Sequence, residues 1–162
     1  MAAPKRKPAK QRADGQVTGL SGELFVAAEL LKRGLQTSIT FGNAKAIDLI
    51  AVNPKTKCTF TVQVKSVRRK NPWPISHAKI FREHVYVFVL LNEPGTAVEY
   101  FVVPGSKMAN EPDLFRLLDY PEFPGIGYAT LKKLGFENAW GIFDQAPRIR
   151  KTLSSRKSIQ TP

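Results

Sequence analysis

Residues 46–66 read AIDLIAVNPKTKCTFTVQVKS. The first seven are apolar except for Asp48, the next four (Asn53-Pro54-Lys55-Thr56) have turn chemistry, and from Cys58 the chain alternates. Phe60, Val62 and Val64 fall on one side of a strand, Thr59, Thr61, Gln63 and Lys65 on the other, because successive side chains of a strand point to opposite faces. The spacing predicts two strands, Ala46 to Val52 and Cys58 to Ser66, paired as a hairpin. Val64 then points into the core while Gln63 and Lys65 share the opposite face. A carboxylate inside an apolar strand is costly unless it has a partner, which makes Asp48 the residue to explain.

Upstream, TGLSGELFVAAELLKR (Thr18 to Arg33) carries Leu20, Leu24, Ala27, Leu30 and Leu31 at helical spacing. Thr18 or Ser21 is available as a cap, and Gly34 is placed to end the helix in the left-handed conformation. Gly19, Glu23 and Ala27 lie four residues apart on one stripe, so small residues flank the carboxylate and permit close approach. A short strand is expected at Thr37 to Phe41. Downstream, Val67-Arg68-Arg69-Lys70 is basic and Asn71-Pro72-Trp73-Pro74 is a loop, followed by a short helix or irregular turn over Ser76 to Glu83. Strands are expected at His84 to Leu91 and Val98 to Val103, and helices at Asp113 to Tyr120 and Tyr128 to Leu134, the last ended by Gly135. AWGIF (Ala139 to Phe143) reads as a docking segment whose Trp140 closes the core. Helix, successive strands, then helices argue for a mixed central sheet with helices packed on it, an α/β (α+β) fold and not a doubly wound parallel one.

The chain has 162 residues, 43% of them hydrophobic, enough for one domain with a proper core. Its net charge of +12 favours a polyanionic partner, but the excess lies at the ends. Residues 1–12 and 148–162 each carry five basic and no acidic side chains, leaving 15 basic against 13 acidic residues over 13–147. The expected organisation is a disordered basic arm (1–16), a single domain (17–144) and a basic C-terminal tail (145–162), the ends adding salt-sensitive phosphate contacts. Cys58 is the only cysteine, which excludes an intramolecular disulfide and a thiolate zinc cluster. The longest wholly apolar stretch, Val85 to Leu91, falls far short of the ~20 residues that span a bilayer, and the start lacks the apolar stretch of a signal peptide. A soluble, cytoplasmic protein is expected. His77 and His84 lack zinc-pair spacing, Gly125-Ile126-Gly127 lacks the context of a dinucleotide fingerprint, and no Walker-type run occurs, so nucleotide hydrolysis is unsupported.

Gly22-Glu23 early in a helix, Asp48 in an apolar strand and Gln63-Val64-Lys65 on the next strand resemble, in order and spacing, the PD-(D/E)xK nuclease superfamily. That superfamily includes restriction endonucleases and archaeal-type Holliday junction resolvases. The resemblance spans Val17 to about Val103, more loosely to Phe143, and implies a restriction-endonuclease-like sheet flanked by helices. It further implies a metal-dependent endonuclease hydrolysing DNA phosphodiester bonds, with Mg²⁺ or Mn²⁺ held by Glu23, Asp48, Gln63 and the Val64 carbonyl. Lys65 would orient or help deprotonate the attacking water. Glu23, Asp48, Gln63 and Lys65 are thus the expected catalytic set. Gln63 departs from the usual acidic residue. An amide keeps an oxygen ligand but removes a negative charge, so metal affinity should fall. A similar Gln-x-Lys form occurs in the endonuclease subunit of heteromeric transposases.

Ser66, Arg68, Arg69 and Lys70, which continue from that strand, are candidate phosphate contacts, and Trp73 between two prolines is a candidate base-stacking residue. A single small domain favours structure-specific or weakly sequence-specific cleavage, with a homodimer cutting both strands as one assembly. The competing readings are a non-catalytic nucleic-acid-binding module, for which Gln63 is the hint, and a DNA-recruiting subunit of a larger protein complex.

Overall fold

The strand that carries Gln63 and Lys65, β3 (Thr59–Val67), is the longest in the molecule and lies at the centre of a five-stranded sheet. The computed structural model describes residues 15–40, 47–117 and 122–145. Residues 1–14 of the expected arm and most of the C-terminal tail lie outside these residues, as do 41–46 and 118–121, whereas Gly15 and Gln16, assigned to the arm from the sequence, open the first helix. On one side β3 pairs antiparallel with β2 (Leu49–Val52), which pairs in turn with β1 (Gln36–Ile39). On the other it runs parallel to β5 (Val85–Leu90), followed by the antiparallel β6 (Glu99–Pro104). The order is β1-β2-β3-β5-β6, the mixed sheet the sequence predicts.

The β2–β3 hairpin has the Leu49↔Val62 register. Asn53 fixes its turn: Oδ1 accepts the N–H groups of Lys55 (2.9 Å) and Thr56 (3.2 Å), and Nδ2 donates to the Phe143 carbonyl (2.8 Å). Every residue of β5 is buried because both faces of the sheet are covered, so this strand shows no alternation. One face packs Val62 and Val64 against Val26, Ala27 and Leu30 of helix α1 (Gly15–Lys32), with Trp140 and Phe143 of a 3₁₀ turn completing the cluster. Trp140 is buried at the edge of this core, as expected. The opposite face packs Phe88 and Phe101 against Trp73, Met108, Phe115, Ile126 and Leu131. These come from a two-stranded ribbon, β4 (Trp73–Pro74) with β7 (Gly125–Ile126), from helices α2 (Gly105–Asn110) and α3 (Tyr128–Lys133), and from the 3₁₀ turn Pro112–Phe115.

Two expectations need correction. Over its described part, the helix expected from Asp113 to Tyr120 is instead the turn Pro112–Phe115, closed by Arg116 at φ 56°, and α2, at six residues too short to show a helical period, precedes it. The second concerns which face of α1 is buried. Leu20, Leu24 and Leu31 are exposed, whereas Gly22, Val26, Ala27 and Leu30 face the sheet. The reason lies at Gly22. A Cβ there would stand 1.7 Å from Ser66 Oγ and 2.8 Å from Ser66 Cβ, so the helix sits on β3 at a distance only glycine permits.

Gly22→Ala is therefore expected to destabilise the protein, although alanine is the better helix former by about 1 kcal/mol. Overpacking of this kind costs about 1–3 kcal/mol, and here the clash includes a Cβ fixed to the strand backbone. Urea unfolding should show a net loss of up to about 2 kcal/mol. A gain would mean the helix can lift away freely.

Candidate active site

The ladder between β2 and β3 breaks at Asp48. In a regular antiparallel strand the N–H and C=O of one residue point to the same neighbour. Asp48 instead donates its N–H to the Val62 carbonyl on β3 (2.9 Å) while its own carbonyl accepts the Thr40 N–H beyond β1 (2.9 Å). Thr40 Oγ1 also donates to the carbonyls of Ile47 and Asp48. The next rung on β3, the Val64 N–H, is taken by the side chain: Asp48 Oδ2 accepts it at 2.7 Å. This answers the cost of a carboxylate in an apolar strand, since a charge-assisted bond replaces the missing backbone partner.

The parity of β3 turns the Val64 carbonyl to the same side as its N–H, and no backbone group among the described residues donates to it. Glu23 arrives from α1, half-buried and near enough to Asp48 to feel its charge. Burial first, and the Asp48 carboxylate second, push the Glu23 carboxyl above the ordinary glutamate value. The local sequence explains this approach, because Gly22 beside Glu23 lets the helix close on β3.

Gln63 and Lys65 project from the other side of β3, away from α1, as the alternation predicts. Both line a cleft of about 880 Å³ between β3, the β4–β7 ribbon and the turn through Phe81. The Lys65 side chain makes no ion pair or hydrogen bond among the described residues, and neither does that of Gln63. Glu23 and Asp48 do not line this cleft. The carboxylates approach the break from the helix side and the sheet edge, and Gln63 and Lys65 flank Val64 from the cleft side.

The expected phosphate contacts disperse. Ser66 faces α1, and its Oγ is buried with no hydrogen-bond partner among the described residues, so it is packing and not a surface contact. Arg68 Nε donates to Thr18 Oγ1 on α1 (3.0 Å), Arg69 pairs with Glu93 (2.9 Å), and Lys70 Nζ lies 4.6 Å from the Tyr128 ring centre. None of the four lines the cleft. The Arg69–Glu93 pair is solvent-exposed and so worth little, which leaves Arg69 able to exchange its partner. Trp73 is not a stacking residue: it is fully buried, donates Nε1–H to the Val89 carbonyl (3.1 Å) and packs edge-on against Phe88 and Phe101. An indole with no exposed face cannot meet a base. His84 is structural, buried with Nδ1 2.6 Å from Thr61 Oγ1. Sequence reasoning missed the exposed aromatics at the cleft, Phe81 and Phe123, because single phenylalanines among prolines and charges carry no periodicity.

Among the described residues no group of three or more His, Cys, Asp or Glu side chains is arranged to hold a metal. The oxygen donors near the break are two carboxylates and the Val64 carbonyl, while the Gln63 amide lies on the cleft side. These are hard oxygen ligands of the kind Mg²⁺ and Mn²⁺ take. A carboxyl raised by burial and then by a neighbouring carboxylate, together with a carbonyl that has no described backbone donor, suits a divalent cation.

The fold is similar to that of a bacterial homing endonuclease, I-Ssp6803I, at 14% identity and a TM-score of 0.52, covering 81% of this chain and 92% of that one. It is also similar to Hjc, a Holliday junction resolvase from Archaeoglobus fulgidus, at 22% identity and a TM-score of 0.40, covering 54% of this chain and 73% of that one. No family model and no curated protein matches the sequence. The mixed five-stranded sheet flanked by helices is a restriction-endonuclease-like fold.

Proposed function

We propose, on the premise of a restriction-endonuclease-like fold, that this protein is a divalent-metal-dependent nuclease hydrolysing DNA phosphodiester bonds. The observation that carries the reading is the break at Asp48, where the chain gives up a backbone rung and its carboxylate accepts the N–H of Val64, the residue that separates Gln63 from Lys65 in the strand. A purely structural aspartate has no need of a second, raised carboxyl from α1 at the same place.

In this reading Glu23, Asp48, Gln63 and the Val64 carbonyl hold Mg²⁺ or Mn²⁺, which when bound supplies Lewis acidity toward the phosphoryl oxygens. Asp48 is fixed for the task, because its bond to the Val64 N–H holds one oxygen and leaves the other to turn outward. Lys65 stands on the cleft wall with its ammonium unpaired among the described residues. There it orients the attacking water and offsets the negative charge that builds on phosphorus as the water oxygen bonds and the bridging oxygen departs. Gln63 keeps an oxygen in the set while lowering its charge, so the site should need more metal than one with a third carboxylate. Little of the fold is free to read a long sequence, which favours structure-specific or weakly sequence-specific cutting.

The test incubates supercoiled, linear, single-stranded and branched DNA with the protein in Mg²⁺, Mn²⁺ or chelator, alongside Asp48→Ala and Lys65→Ala. Metal-dependent cutting by the parent, lost in both variants with binding retained, is the expected result. Salt-sensitive binding without cutting under any condition would replace the reading with a non-catalytic binding module. Loss of binding as well would leave a subunit that depends on a partner.

A further inference from the structure

The cleft beside Lys65 has features that phosphodiester hydrolysis alone does not require. Phe123 is 85% exposed and Phe81 is 43% exposed, in a protein whose other cleft-side aromatics, Trp73, Tyr86 and Phe88, are fully buried. Leaving a phenyl ring in water forgoes most of what its burial would contribute. Both rings are carried on fixed backbone. Next to Phe123, the Pro124 carbonyl accepts the Ile75 N–H (3.1 Å), and Gly125 packs so closely that a Cβ would stand 2.8 Å from the Trp73 carbonyl oxygen. On the other side, the Phe81 N–H donates to the Tyr86 hydroxyl (2.9 Å), and the Phe81 carbonyl accepts the His84 N–H (3.3 Å). The rings are therefore presented by rigid supports.

The cleft's charged lining is Lys65, Lys79 and Glu122, an excess of one cation, and its remaining wall is largely proline and aliphatic. Its volume of about 880 Å³ is within the range of sites that enclose a small organic group. A duplex is far too wide to enter, but one base turned out of a strand is not. Few hydrogen-bonding groups line the walls, so the site would grip the flat face of a base and tolerate any of the four.

We propose that this cleft receives an unpaired nucleobase, stacked on Phe123 and Phe81, while the flanking phosphates lie along Lys65 and Lys79. The inference rests on the nuclease reading and names the substrate class of that same site: DNA bearing unpaired nucleotides next to the bond to be cut. Unpaired bases are selected because a paired base must first pay for unstacking, whereas a bulged or single-stranded one need not.

The test measures binding of the full chain, in chelator so that no strand is cut, to a hairpin duplex closed by a non-nucleotide linker, so that it has no unpaired base, and to the same hairpin with a three-nucleotide bulge. A 2-aminopurine in the bulge reports stacking through quenched fluorescence. The wild type should prefer the bulged form and quench the probe. Phe123→Ala should reduce that preference by about 5- to 150-fold, the worth of one base–aromatic stack, with affinity for the paired hairpin and unfolding temperature unchanged. Phe81→Ala should act in the same direction. Equal affinity for the two hairpins, or a preference untouched by Phe123→Ala, overturns the proposal. Cutting in Mg²⁺ is assayed separately: cutting without bulge preference defeats the cleft and spares the nuclease reading, and bulge preference without cutting does the reverse.

Discussion

Lys65→Ala is expected to slow DNA cutting by about 10²–10⁴-fold, the usual worth of a group that positions or exchanges the proton of an attacking water. Stability should change by no more than about 0.5 kcal/mol, because the side chain lines an open cleft and holds no described partner. Activity and folding should thus separate cleanly. Single-turnover cleavage with saturating enzyme measures the first, and denaturant unfolding the second. Lys65→Arg should not restore the rate: a planar guanidinium spreads its charge over a wider, less mobile fork than the compact ammonium. A Lys65→Ala variant that cuts at the parental rate would remove the proposed mechanism.

Glu23→Gln should abolish cutting while making the metal-free protein more stable at neutral pH. The Glu23 carboxyl is raised above its ordinary value by burial and then by Asp48, so the folded state holds this proton more tightly than the unfolded chain does. Its contribution is fully favourable below the ordinary glutamate value and is lost as pH rises through the raised folded one. At neutral pH without metal, the ionised Glu23 therefore costs stability, and glutamine removes that cost. Differential scanning calorimetry in chelator should show the wild type gaining thermal stability relative to the variant as pH falls from neutral toward the ordinary glutamate value. Adding Mg²⁺ or Mn²⁺ should raise the unfolding temperature of the wild type, because a ligand that binds only the native state stabilises it, and should raise that of Glu23→Gln far less. Equal metal-induced shifts in the two proteins would take Glu23 out of the ligand set.

The hairpin and the faces of β3 were legible because period-two alternation is a local property: Val62 and Val64 go inward and Gln63 and Lys65 outward whatever the rest of the chain does. The turn at Asn53 and the left-handed end of α1 at Gly34 were legible for the same reason, each set by one residue's conformational preference. The orientation of α1 was not. Counting leucines placed Leu20, Leu24 and Leu31 inward, but helix docking is decided by how closely two backbones can come, and Gly22 against Ser66 wins over three larger side chains. Trp73 likewise resembled a loop residue until the β4–β7 ribbon folded it under the sheet.

The sequence by itself determined that Glu23 sits on a helix and that Gln63 and Lys65 share one face of a strand, since each element is specified by its own spacing of apolar residues; the strand expected over Ala46 to Val52 starts only at Leu49, with Asp48 just before it. Only the tertiary structure decided where each stands relative to the others. Asp48 leaves the ladder to bond the Val64 N–H, α1 brings Glu23 to it, and a cleft opens around Gln63 and Lys65 on the far side. Such relations depend on long-range packing between segments distant in the chain, and no local preference of the residues involved encodes them.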